Sequence, residues 1–339
     1  MGPLMLLGPE DVLWCRLEDD SAIGTVRRSI ATVARRLGFA HARVAEVGIA
    51  ATELTTNAVL HASGASALVR IRRAGERSAV ELIVVDAGPG IADVPNALVD
   101  GESSRGTFGV GLGAVGRLAN HFETYSTRPA GTVMWASFLP DLGAAALPAR
   151  VDGLTRPITG EAVCGDAWAA VESDDRVAVL VADGLGHGEL AAQASRAAVA
   201  AFAVDPWRGP VATLADAHRR LAGTRGAAVL VVDVDRVGRE VRWAGVGNIA
   251  GRVVGAGHVT NLSSRPGIVG QRLPHLREER APLDEQALVV LHSDGLTAKW
   301  ALEQWRGLVL RSSTVVAAAL LQWAGLRHDD ATVVVTRVP

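Results

Sequence analysis

The chain has 339 residues, 49% hydrophobic and 21% charged, with a formal net charge of −2. That length exceeds what one compact core usually serves, and the composition excludes wholesale disorder. No basic excess or stripe is present, which argues against a nucleic-acid partner.

The start, MGPLMLLGPEDV, lacks the basic residues and long apolar core of a secretory signal. No uncharged apolar run reaches the ~20 residues that span a bilayer. The expectation is a cytoplasmic protein with no membrane segment. Cys15 and Cys164 support neither a disulfide framework nor a thiolate zinc site.

A first helix, capped by Ser21, runs through IGTVRRSIATVARRLG until Gly38 stops it. A second spans His41–His61. Strand-like runs follow at Ala67–Arg72 and Ala79–Asp86, then a glycine-rich loop from Gly88 to Gly116. A short helix near Val115–His121 and the strands FETYS and GTVMWASFL close a first domain at 10–140. Residues 141–153, small and lacking a clear period, read as a linker. The second domain, 154–339, carries strand-like AWAAVES, RVAVLVAD, AAVLVVDVD, REVRWAG, ALVVLHSD and ATVVVTRV. Helices fall near Gly188–Val204, Thr213–Ala222 and Thr314–Ala324.

In the first domain, Glu53 and Asn57 lie four apart in TELTTNAVLHA and share one helix face. An amide oxygen there can serve Mg2+, and a carboxylate can take a proton. In ELIVVDAGPGI a strand delivers Asp86 to a turn holding Gly88 and Gly90, where the carboxylate can accept from an adenine amino group. In RGTFGVGLGAVGRL the amides around Gly109, Gly111 and Gly113 can surround phosphates. Each pattern alone fits plain helix or turn chemistry. Gly111 to Gly116 also matches the dinucleotide fingerprint, but no strand precedes it and no acid follows at the required spacing.

In this order the three motifs resemble the GHKL ATP-binding fold, a Bergerat α/β sandwich. GTFGVGLGAVGRLANHFETYS followed by GTVMWASF is most similar to the RsbT-type switch-protein serine kinases. The resemblance implies ATP and Mg2+ as cofactors. Asn57 would ligate Mg2+ and Glu53 would be the base for a serine hydroxyl. Asp86 would read adenine above Gly88 and Gly90, with Thr132 assisting. Gly109, Gly111 and Gly113 would cover the phosphates. His61 is read as structural.

In the second domain, acidic signals occur in CGDAW (Asp166), VADGLGHG (Asp183), LHSDGL (Asp294) and RHDDATVVV (Asp329, Asp330). Carboxylates gathered at strand ends repel unless cations neutralise them, and such oxygen sites suit Mg2+ or Mn2+. A hairpin turning on Asp174-Asp175 sets Asp166 directly opposite Asp183, with Cβ atoms about 5 Å apart. The set resembles the SpoIIE/RsbX branch of the PPM phosphatases, a β-sandwich flanked by helices. That implies two Mn2+ or Mg2+ ions on Asp166, Asp183, Asp294 and Asp329, with the Gly184 carbonyl as a further ligand. On that resemblance Asp183 would be the central catalytic ligand. Leu185 stands where eukaryotic members carry a general-acid histidine, and His187 is read as loop structure. Asn248 and His292 fall near the cleft without an assigned role.

The two resemblances together imply an α+β, α/β two-domain protein that phosphorylates and dephosphorylates a STAS-domain switch protein in a stress or sigma-factor pathway. A homodimer is compatible with this reading. The alternative is a metal-dependent phosphatase whose first half is a non-catalytic module sensing ATP or a partner.

Overall fold

The computed structural model describes residues 4–8, 10–98, 111–147, 149–255 and 257–338. They fall into two units, one of Pro9–Pro148 with Ala301–Arg311, the other of Met1–Gly8, Ala149–Trp300 and Ser312–Pro339. The first strand in the chain, β1 (Leu4–Leu7), belongs to the second unit.

The first unit is one antiparallel sheet with helices on one face. Its elements are β2 (Glu10–Arg16), α1 (Asp20–Arg36), α2 (His41–His61), β3 (Ser66–Ala74), β4 (Arg77–Val85), the single turn α3 (Val94–Ala97), α4 (Gly111–Leu118), β5 (His121–Thr127) and β6 (Gly131–Phe138), in strand order β2-β3-β4-β6-β5. Strand alternation decides the core. Ala67, Val69, Ile71, Val80, Leu82, Val84, Met134 and Ala136 pack against Val26, Ile30 and Val33 of α1 and Val47, Ala51, Leu54 and Ala58 of α2. Each fully buried Val or Leu stabilises by roughly 1.5–3 kcal/mol. The alternate register carries charge: Arg70 and Arg72 both donate to Glu81, at 2.7 and 2.8 Å, with all three side chains buried. Each oxygen of the buried carboxylate is thereby paired with its own guanidinium group, which offsets the cost of burying its charge.

Three local readings need correction. Asp19, not Ser21, caps α1, because its carboxylate accepts from the Ser21 and Ala22 N–H groups. The short helix starts earlier than Val115: Gly111, at φ +72°, turns the chain into α4, and Leu112, Ala114 and Val115 are its buried face. His121 lies in β5 instead. The Arg43 guanidinium fixes that junction, donating to Leu139 O at 3.1 Å, Leu118 O at 2.7 Å and Asn120 Oδ1 at 2.8 Å. Residues Ala301–Arg311, late in the sequence, also fold here; Tyr125 donates through its hydroxyl to Arg306 O at 3.0 Å.

The second unit is a two-sheet sandwich. It contains β7 (Val151–Arg156), β8 (Asp166–Glu172), β9 (Arg176–Gly184), α5 (Glu189–Val204), α6 (Pro210–Arg220), β10 (Ala227–Asp235), β11 (Glu240–Val246), β12 (Ala250–Val254), β13 (Val259–Leu262), β14 (Glu279–Pro282), β15 (Leu288–His292), α7 (Ser313–Trp323) and β16 (Ala331–Arg337). One sheet runs β1-β8-β9-β10-β11-β14 and the other β13-β12-β15-β16-β7. Val177, Val179 and Val181 of β9 point into the sandwich, with Trp168, Leu230, Val289 and Val334. Ala178, Leu180 and Ala182 point the other way, against Ala194, Ala198 and Phe202 of α5 and Leu214 of α6. Helix α7 packs on β7 and β16.

Residues 151–153, read as the end of the linker, open β7 and pair with β16. Strands β1, β12, β13 and β14 had no clear sequence signal, being four or five residues long. Among the described residues, no helix is long and apolar enough to cross a membrane.

Candidate functional sites

In the first unit, Asp86 follows the end of β4 and Thr132 lies at the start of β6, while Glu53 and Asn57 lie on α2. Asp86 is 4% exposed. Its Oδ1 accepts from Gly88 N at 2.8 Å and Thr132 N at 3.2 Å. Burial pushes the carboxyl above the usual aspartate range, and those two N–H groups oppose the shift.

Thr132 is buried, with Oγ1 3.0 Å from Ser126 Oγ. Ser126 Oγ also accepts from Ile91 N at 2.7 Å, which pins the turn after Asp86. The sequence offered no signal for Ser126, or for Gly131, where a Cβ would collide with Asp86 O.

Packing explains Gly88 and Gly90 before any ligand does. A Cβ at Gly88 would lie 2.9 Å from Ala62 Cα, and one at Gly90 would lie 2.9 Å from Thr127 O. Glu53 and Asn57 are both half-buried on α2, beside the buried stripe of Leu54 and Ala58. Gly111 and Gly113 open α4. Gly109 lies outside the described residues.

In the second unit, the sandwich places the carboxylates. Asp166 and Asp183 are direct cross-strand partners in the β8–β9 pairing. They share the strand face of Trp168 and Val181, so both sit at the end of the sandwich interior. Burial pushes Asp183 up to about 9, and Asp166, Asp294, Asp329 and Asp330 add repulsion. Burial likewise pushes Asp166 up to about 7, against the opposing Ser293 hydroxyl. Asp294 is raised by burial first and by Asp329 second.

Hydrogen bonds hold these side chains from behind. Ser293 Oγ donates to Asp166 Oδ2 at 2.7 Å and accepts from Thr332 N at 2.9 Å. Asn248 Nδ2 donates to Asp294 Oδ2 at 2.6 Å. Asp330 accepts from Ile158 N at 2.8 Å and Gly165 N at 2.9 Å, so it fastens two loops; Asp329 is the more open of the pair. A Cβ at Gly184 would collide with Ala191 O, so only glycine lets α5 approach the strand end. His292 is buried, between Ser293 O at 2.9 Å and the Trp300 indole N–H at 3.4 Å, which makes it a packing residue. His187 pairs with Glu161 at 2.8 Å. Of these supports, Ser293 was legible only as a neighbour of Asp294, and Glu161 carried no signal.

The donor chemistry fits divalent cations. Asp166 Oδ1 is buried with no hydrogen-bond partner among the described residues, beside a second buried carboxylate. Such oxygens suit Mg2+ or Mn2+. Among the described residues, no three acidic, His or Cys side chains are already closed around one point.

A sign follows for the metal-free protein. Asp183 and Asp166 have folded pKa values above the unfolded value of about 3.9. Their protonated forms therefore favour the fold, and that stability is lost as pH rises through about 7 and then about 9. With EDTA present, the melting temperature should fall between pH 5 and pH 9. Mn2+ should oppose the fall, because it binds the deprotonated forms. A metal-free melting temperature that rises over this range would contradict the placement.

The chain matches the histidine kinase-like ATPase domain family over residues 17–138 and the stage II sporulation protein E (SpoIIE) family over residues 173–339. It is 34% identical over 105 residues to the serine/threonine-protein kinase RsbT of Bacillus subtilis (strain 168), covering 31% of this chain and 78% of that one. It is 32% identical, at a TM-score of 0.51, to a chain solved in work on the bacterial stressosome as a modular system adapted to control secondary messenger signalling; 55% of this chain and 97% of that one are covered. It also shares a fold with RsbX crystallised with magnesium: 19% identity, TM-score 0.51, 56% of this chain and 94% of that one.

Proposed function

Because the chain belongs to the RsbT serine/threonine kinase family through a histidine kinase-like ATPase domain, and continues into a phosphatase domain of the SpoIIE family, we propose that it both adds and removes phosphate on a serine or threonine of one STAS-domain switch protein. The observation that carries the proposal is the buried pair Asp166 and Asp183, opposite one another with an unpartnered oxygen. That arrangement serves cation-dependent hydrolysis and is costly otherwise.

In the kinase half, Asp86 accepts from the adenine amino group and Thr132 closes the same end. Glu53 takes the proton of the attacking hydroxyl. Asn57 would hold Mg2+, and the amides near Gly109, Gly111 and Gly113 would cover the phosphates. In the phosphatase half, Asp166, Asp183, Asp294, Asp329 and the Gly184 carbonyl would hold two Mn2+ or Mg2+ ions. Bound there, the cations would supply an activated water and neutralise phosphoryl oxygens. Ser293 and Asn248 orient the carboxylates, and Asp330 holds the Gly165 loop beside them.

The nucleotide assignment has its own test. Asp86→Asn replaces an acceptor-only group with an amide that can turn its donor toward adenine. A lost charge-assisted hydrogen bond should weaken ATP binding about ten- to hundredfold. Calorimetric titration of the folded variant reads this directly, and an unchanged Kd would remove Asp86 from the site.

A second reading keeps the ATPase domain as a sensor that gates the phosphatase. It draws on the segment Ala301–Arg311, which follows Asp294 in sequence yet folds with the N-terminal unit. Incubating the Asp183→Asn chain, whose phosphatase half should be silent, with Mg-ATP and a STAS-domain protein, and weighing that protein by mass spectrometry, separates the two. The proposal expects one added phosphate; the sensor reading expects none.

A further inference from the structure

A cluster of carboxylates attracts cations and repels phosphate, so the phosphatase site needs a positive group of its own. We propose that Arg225 receives the phosphoryl group of the substrate, an inference that rests on the phosphatase reading above.

The position of Arg225 is set by the strand that supports Asp183. Arg225 stands two residues before β10, where Ala227 pairs with Gly184 and Ala228 with Asp183. Its neighbour Gly226 accepts at its carbonyl from Leu185 N at 3.0 Å, and the Arg225 carbonyl accepts from Gln271 Nε2 at 2.6 Å. The backbone is therefore tied on both sides of the loop that follows Asp183.

The side chain reaches over that loop. A Cβ built on Gly186 would lie 2.9 Å from Arg225 Nη1. Gly186 has φ +87° and no side chain, so the guanidinium can rest directly above its backbone. On the other side, the Gly186 carbonyl oxygen is 3.4 Å from a Cβ built on Gly165, the residue before Asp166. Arg225, Gly186, Gly165 and Asp166 thus form one continuous wall at the end of the sandwich.

The guanidinium is uncommitted. Arg225 is exposed, and among the described residues its side chain makes no hydrogen bond or ion pair. Four other arginines of this unit are engaged, whereas Arg272 and Arg277 are exposed like Arg225 but are not placed against the loop that follows Asp183. Arg156 donates to Leu321 O and Leu326 O, Arg252 donates to Trp300 O and Ala298 O, and Arg176 and Arg242 share Asp233. A planar fork of donors, free on the rim of an anionic site, matches two phosphoryl oxygens. It also offsets the carboxylate field that a phosphorylated serine must enter.

The test uses the full chain in Mn2+, with p-nitrophenyl phosphate as substrate and inorganic phosphate as ligand. Arg225→Ala should raise KM, and the inhibition constant of inorganic phosphate, about tenfold or more. Arg225→Lys should recover part of the loss, because it keeps the charge without the fork. The rise in melting temperature on adding inorganic phosphate should shrink in Arg225→Ala, while the melting temperature without phosphate stays that of wild type. Arg219→Ala, which removes an exposed arginine paired with Asp216, should change none of these. Wild-type KM, inhibition constant and phosphate-induced stabilisation in Arg225→Ala would overturn the inference. A wild-type chain that hydrolyses no phosphomonoester in Mn2+ would overturn the phosphatase reading instead, and the phosphate-induced stabilisation would still decide for Arg225.

Discussion

Asp183→Asn should remove metal-dependent phosphatase turnover, by at least about a hundredfold, while leaving the chain folded. Asp183 ends β9 opposite Asp166, and repulsion from Asp166, Asp294, Asp329 and Asp330 converges on it. An amide carries no charge, so cations lose their central ligand. The apo variant should melt no lower than wild type at neutral pH, because the fold must hold the buried Asp183 carboxyl in its protonated form and an amide needs no proton. In Mn2+ the order reverses. A protein at a hundred times its Kd gains about 2.7 kcal/mol from the ligand, and a hundredfold loss of affinity removes most of that gain. Melting curves with and without Mn2+, read beside hydrolysis of a phosphoserine peptide, measure both effects. A variant that keeps wild-type stabilisation and turnover would take Asp183 out of the metal site.

Glu53→Gln should lower phosphate transfer by about 10²–10⁴-fold, the usual contribution of a general base, with ATP affinity unchanged. Glu53 and Asn57 sit one turn apart on α2, half-buried beside the Leu54 and Ala58 stripe that fixes the helix on its sheet. Glutamine keeps the size and the hydrogen-bonding reach but cannot take the serine proton at neutral pH. Single-turnover transfer from labelled ATP to a STAS-domain protein reads the chemical step, and a nucleotide titration controls for binding. Equal transfer rates in variant and wild type would assign the base elsewhere. Loss of ATP binding would mean that Glu53 holds nucleotide instead.

Long periodic elements were legible in the sequence because their burial pattern is local. Helix α2 spans His41–His61 as its apolar spacing predicts, and the β8–β9 register follows from the short Asp174-Asp175 turn. That register alone sets Asp166 opposite Asp183. What sequence spacing missed depends on distant chain. Strands β12 and β13 are too short to show alternation, and β1 joins its sheet from the far N-terminus. The Asp19 cap differs from the expected Ser21 because an acceptor two residues upstream reaches the same N–H groups. Ser293, Asn248 and Asp330 act on carboxylates or loops far along the chain, so their roles emerge only from the fold. Arg225 had no motif at all. The segment Ala301–Arg311 reads as ordinary phosphatase sequence yet folds with the first unit.

One chain is proposed to catalyse two opposing reactions on one protein. The most direct measurement incubates a STAS-domain protein with γ-labelled ATP, Mg2+ and the Asp183→Asn chain, then removes the ATP and adds the Glu53→Gln chain with Mn2+. Label should accumulate on the STAS-domain protein in the first step and be released as inorganic phosphate in the second. No label in the first step, or label that persists through the second, would contradict it.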